Sequence, residues 1–113
     1  MRVISKVIFL PSAARTTSGD TRASRVDASN FYEGLFFLDV TAVSGTSPTL
    51  DVVIETYDEL SGKWFPIATF SQFTATGSEL KTATGLGQAL ACRYTIGGTE
   101  PSFTFSVGAI LKS

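Results

Sequence analysis

The sequence contains no histidine, one cysteine and one tryptophan among 113 residues. Without histidine, the usual general base, triad member and commonest metal ligand are all missing. The lone cysteine, Cys92, excludes an intrachain disulfide and leaves a thiolate zinc site short of ligands. Charge of one sign is not in excess either. Nine Lys and Arg against ten Asp and Glu leave a net charge of −1, so nothing electrostatic favours nucleic acid or an anionic membrane as partner. No segment approaches the length of an apolar membrane span. At the start, Ser5 and Lys6 interrupt the apolar residues and leave only Val7 to Leu10, shorter than the core of a secretory signal. The expectation is a protein kept, or assembled, in the cytoplasm. No stretch of about ten residues or more shows helical periodicity.

What is present is β-forming. Hydrophobic residues make up 43% and charged ones 17%, which excludes a disordered chain. The length suits one domain with its own core and is too short for two. Residues 34–57 read as a hairpin, with Ser44-Gly45-Thr46-Ser47-Pro48 as its turn. Pairing Val43 with Thr49 sets Phe36, Leu38, Val40, Val52 and Ile54 on one apolar face. Asp39, Thr41, Asp51 and Glu55 lie opposite, mixed with Phe37 and Val53. Residues 89–96 and 102–110 read as a second hairpin around Gly97–Pro101, with Leu90, Cys92, Tyr94, Phe103, Phe105 and Val107 inward. Cys92 is then a small core residue rather than a nucleophile.

The remaining strands are shorter. Residues 2–9 form a first strand with Val3, Val7 and Phe9 on one face, Ile4 and Ile8 on the other, and Pro11 ending it. Lys63 to Phe70 follow a turn at 58–62. Pairing Tyr57 with Lys63 puts Trp64, Ala68 and Phe70 in the core, and Pro66 marks an edge or a bulge. Glu79 to Ala83 form a further short strand, and Gly77, Gly85 and Gly87 are turns. Together these predict an all-β fold, a single-domain antiparallel β-sandwich (jelly-roll-like) of about seven or eight strands over residues 1–113.

Residues 10–30 are polar and poor in anchors, and read as a long surface loop with one edge strand around 21–28, or as an arm that orders on a partner. Arg15, Arg22 and Arg25 are its candidate partner-binding residues. Phe37 and Val53 join them as apolar residues on a face expected to be wet. Carboxylate chemistry finds little support. Asp51 and Glu55 lie roughly 13 Å apart along a strand, beyond even the spacing of an inverting glycosidase. A calcium site from Asp39 and Asp51 has no motif behind it, and Asp58 with Glu59 reads as a solvated turn. The reading is therefore no enzyme and no cofactor.

The stretch FLDVTAVSGTSPTLDVVIETYDELSGKWFPIATF, with the later RYTIGGTEPSFTFSVGAILK, resembles short structural proteins encoded by tailed bacteriophages. The similarity covers roughly residues 35 to 111, most of the chain, and residues 1–30 depart from the pattern. The resemblance implies a virion protein, assembled in the host cytoplasm, that decorates and cements the head by binding the major capsid protein. Strand 2–9 with apolar residues on both faces, the long polar segment after it, and Phe37 with Val53 on the outer face further suggest a small homo-oligomer, a trimer suiting the local three-fold positions of a capsid. The alternative is a carbohydrate-binding or structural module of a tail, baseplate or head fibre, with Tyr32, Tyr57 and Phe65 as candidate exposed aromatics. Neither reading involves nucleic acid or membrane.

Overall fold

A strand of 26 residues laid out straight would span roughly 85 Å, yet the longest dimension of this molecule is 47 Å. The strand in question, β4 (Glu33–Asp58), resolves the conflict by bending sharply at its middle, as does its partner β7 (Ala89–Lys112). The two pair antiparallel along nearly their whole lengths, from Glu33↔Lys112 to Thr56↔Leu90, with the register broken only around residues 40–49 of β4. The computed structural model describes residues 3–113. Ahead of β4 lie β1 (Ile4–Arg15), the two-residue strands β2 (Gly19–Asp20) and β3 (Val26–Asp27), and a single 3-10 turn at Arg22–Ser24 between them. Between β4 and β7 lie β5 (Lys63–Thr69) and β6 (Gly77–Thr84).

All seven strands belong to one antiparallel sheet. Because β4 and β7 bend together, the sheet folds over itself into two layers. One layer holds β1, the second half of β7, the first half of β4, and β6. The other holds β2 and β3, the first half of β7, the second half of β4, and β5. Their inner faces meet in one continuous core, where the Tyr94 ring stands edge-on to that of Phe105 with centroids 5.5 Å apart. The expected all-β antiparallel sandwich is what the chain forms.

The bend has a physical origin on each strand. Gly45 and Ser47 on β4, and Gly98 and Glu100 on β7, all adopt positive φ. Both stretches read Gly-Thr-x-Pro, and Thr46 lies opposite Thr99. Each glycine supplies the left-handed conformation cheaply, and each proline withholds a ladder donor, so regular pairing lapses there.

Several expectations change as a result. The two hairpins are not hairpins: Phe36, Leu38 and Val40 pair with Ala109, Val107 and Phe105, and Val52 and Ile54 pair with Tyr94 and Cys92. The face assignments survive, since Phe36, Leu38, Val40, Val52, Ile54, Cys92, Phe103, Phe105 and Val107 are all buried. Side-chain parity along a strand does not depend on which strand lies beside it.

Pro11 does not end β1. It falls in the register shift between Leu10 and Ala13 of an edge strand, where no ladder donor is required. Arg2, the first residue of the strand expected at 2–9, lies outside the described residues. Residues 10–30 are not a free loop or arm, because β1, β2 and β3 all pair with β7. Thr21 fastens this segment: its N–H donates to the Cys92 carbonyl, and its Oγ1 accepts from the Cys92 N–H.

Trp64 is the clearest reversal. Lys63 pairs with Asp58 rather than Tyr57, a one-residue slip that turns Trp64 away from the core. A bulge at Pro66 then restores the parity, so Ala68 and Phe70 are buried as expected.

Candidate functional site

The outer faces of the two layers differ in character. On the layer containing β5, the outward residues are led by Glu55. The residue is nonetheless only 3% exposed, because Arg22 and Arg93 close over it. Arg22 forks onto both carboxylate oxygens (Nη2 to Oε1 2.9 Å, Nη2 to Oε2 3.1 Å), and Arg93 Nε donates to Oε2 at 3.1 Å. Burying a carboxylate is costly unless it is paired and hydrogen-bonded, and two guanidinium groups meet that need.

Beside this clamp, the Tyr57 and Trp64 rings lie 5.0 Å apart, and arginines cover them. The Arg25 guanidinium sits 4.6 Å from the Tyr57 centroid and 5.0 Å from that of Trp64, with Arg22 5.5 Å from Trp64. Arg15 is equally engaged with its own chain. It donates to the carbonyls of Phe105, Pro11 and Ala13 and lies 4.8 Å above the Phe105 ring. All three candidate arginines therefore hold the segment 15–25 against the sandwich, and Arg22 and Arg25 come together over Trp64.

Phe37 and Val53 are not brought together. The bend places them on opposite outer surfaces, Val53 half-buried between Thr69 and Arg93, Phe37 open to solvent. Phe37 belongs to a row that crosses four strands in register, Ile8↔Gly108↔Phe37↔Leu80. Ile8 is 74% exposed, Leu80 51% and Phe37 39%. The next row, Lys6↔Ile110↔Leu35↔Thr82, adds two half-buried apolar residues. Gly108 leaves the centre of the row low. A groove of about 360 Å³ runs there between Ile8 and Phe37, and a second of about 450 Å³ lies between Phe37 and Leu80.

Sequence reasoning identified Phe37 and missed Ile8 and Leu80 as its neighbours. The available signal was a single leucine in the otherwise small and polar strand GSELKTAT. Glu55 was placed on the wet face, and nothing local announced the arginines that cover it.

The carboxylates remain separate. Asp39 accepts from Ser78 Oγ, Asp51 from Gln72 Nε2, and Glu55 from the arginines. Among the described residues no group of three or more His, Cys, Asp or Glu could hold a metal ion. Asp58 organises its own turn, accepting from Ser61 Oγ and from the Leu60 and Ser61 N–H groups. The Ser61 hydroxyl, then the Leu60 amide, holds its carboxyl below the usual range.

The fold defines the class of protein: a small antiparallel sandwich made from one folded sheet. No family model matches the sequence, and no curated protein matches it. Among solved structures it is similar to the SPBc2 prophage-derived protein YomS, at 14% identity and TM-score 0.58 over 100% of this chain and 96% of that one. A component of Bacillus endospore appendages is similar at 16% identity and TM-score 0.55, over 97% and 86% of the two chains. The infectious bursal virus protein of T=1 particles is similar at 10% identity and TM-score 0.57, over 98% of this chain and 31% of its own. At these identities the shared property is the fold.

Proposed function

We propose that this chain is a structural protein of a virus particle, and more specifically a decoration or cement protein on the head of a tailed phage. The observation that carries the reading is the end-to-end match to a prophage-derived protein of nearly the same extent. The similarity to a protein of T=1 viral particles supports it from a second direction. The partner is the major capsid protein, the place of action is the virion after assembly in the host cytoplasm, and the chain works as a small homo-oligomer without a cofactor or catalytic step. A rigid sandwich with its arginine-rich segment bound to itself suits a part that adds mechanical stability to a shell.

The alternative, a sugar-binding module of a tail or fibre, draws less support. Trp64 and Tyr57 are covered by Arg22 and Arg25, and among the described residues the exposed rings of Tyr32 and Phe65 are not paired with another ring.

Cryo-electron microscopy of particles from a host carrying the gene tests the reading. Density for the sandwich on the outside of the head, together with lower thermal stability of particles lacking the chain, is the expected result. Density in the tail alone, or particles without the chain, overturns it.

A further inference from the structure

We propose that the outer face of the layer β1–β7–β4–β6, centred on Phe37, is the surface through which two copies of this chain associate face to face across a two-fold axis. It names the surface for the homo-oligomer of the proposed function, and stands on that surface whether or not the chain belongs to a virion.

Four features point to a second copy as the occupant. The first is apolar continuity. Ile8, Phe37 and Leu80 stand in one row over Gly108, with Leu35 and Ile110 in the next, and contiguous exposed apolar surface of this kind marks an interaction site.

The second is relief. Phe37 is a ridge with a groove on each side. An isologous contact needs a projection and a matching recess on the same face, so that each copy fills the other.

The third is charge. Lys6 lies one row to one side of Phe37, and Asp39 one row to the other. A two-fold along the row sets Lys6 of one copy and Asp39 of its partner on the same side of the axis, two strand spacings of about 4.8 Å apart along it. A nucleic acid or an anionic membrane would meet no excess of either sign.

The fourth is area. Strands about 4.8 Å apart, paired over roughly eight residues of about 3.3 Å, give a face of roughly 500 Å² in projection. Two such faces bury roughly 1,000 Å², the floor for a specific interface. The dimer is therefore reversible rather than obligate, and it is two-fold where the sequence suggested a trimer.

Sedimentation equilibrium of the full chain, carried up to about millimolar, tests this. The expected result is a monomer–dimer equilibrium whose dissociation constant rises at least tenfold in Phe37→Lys and, separately, in Leu80→Lys. Leu60→Lys, at a fully exposed turn residue, leaves it unchanged. Leu80 is on an edge strand, so its variant keeps the test valid if Phe37→Lys does not fold. Thermal unfolding of each variant confirms the native state. A chain that stays monomeric, an oligomer of another order, or a dimer untouched by both substitutions overturns the proposal. So does a monomer that uses Phe37 to bind capsids, because the occupant is then a different protein.

Discussion

Gly45 and Gly98 each lie against the residue pair that ends in the other strand's proline. A Cβ on Gly45 would come 2.7 Å from the Glu100 carbonyl oxygen and 2.8 Å from Pro101 Cα. One on Gly98 would come 2.8 Å from the Ser47 oxygen and 2.9 Å from Pro48 Cα. Their φ values, +110° and +112°, match as closely as their contacts do. The bend of the sheet is therefore built from two copies of one device.

Gly45→Ala should cost about 3 kcal/mol or more, the left-handed strain adding to a backbone clash. Gly98→Ala should cost a similar amount. Gly85→Ala, at positive φ but with no atom within 4 Å, should cost only about 1–2 kcal/mol. Urea unfolding of the three variants checks this, and equal losses would remove the close approach as the cause.

Cys92 is wholly buried, and burial pushes its thiol up to about 12. In the unfolded chain the thiol ionises near 8.5. The raised value contributes stability that is fully present below that point and is lost as pH rises towards about 12, at about 1.4 kcal/mol per unit. Wild type should lose more stability than Cys92→Ala between pH 9 and 11 relative to neutral pH. At neutral pH, labelling of the native thiol should proceed only at the unfolding rate. Parallel pH curves for the two proteins would rule out this linkage.

Glu55→Ala should cost about 2–3 kcal/mol, the range of charge-assisted hydrogen bonds, because Arg22 and Arg93 keep access to water and can relax. Arg93→Ala, removing a 44% exposed partner, should cost about 1 kcal/mol or less. Comparing the two by chemical denaturation checks the order. An equal or larger loss for Arg93→Ala would contradict the view of Glu55 as the hub.

Trp64→Ala should cost about 1–2 kcal/mol, the scale of its arginine and tyrosine contacts, rather than the 3–5 expected of a core tryptophan. As the single tryptophan, it reports directly: Arg25→Ala should increase its quenching by acrylamide. Emission unaffected by Arg25→Ala would mean the guanidinium does not cover the ring.

The sequence disclosed faces better than partners. Alternation along LFFLDVTAV and FTFSV determines which side chains point inward whatever lies beside them, so the core was legible. The pairing was not. Gly-Thr-Ser-Pro between two apolar runs satisfies the chemistry of a hairpin turn and of a bend equally well, and locally nothing separates them. The distinguishing signal was the second such tetrad at Gly98–Pro101, which gives each bend a matching partner. Trp64 was lost to a one-residue ambiguity in the turn at 58–62, since one slip inverts a face. The Phe37 surface needed three registers at once, and only Phe37 itself stood out along the chain.

The position of β7 has a consequence for how the molecule is made. It is the partner of β1, β2, β3 and β4, and it is the last of the seven strands to leave the ribosome. At roughly 5–20 residues per second, the earlier segments wait several seconds with their edges unpaired. Only the β4–β5 and β4–β6 pairs can form in that interval, and Ile4 meets Lys112 at the very end. Folding of the sandwich is thus deferred until β7 has emerged. During that delay the unpaired strand edges are at their most prone to aggregation.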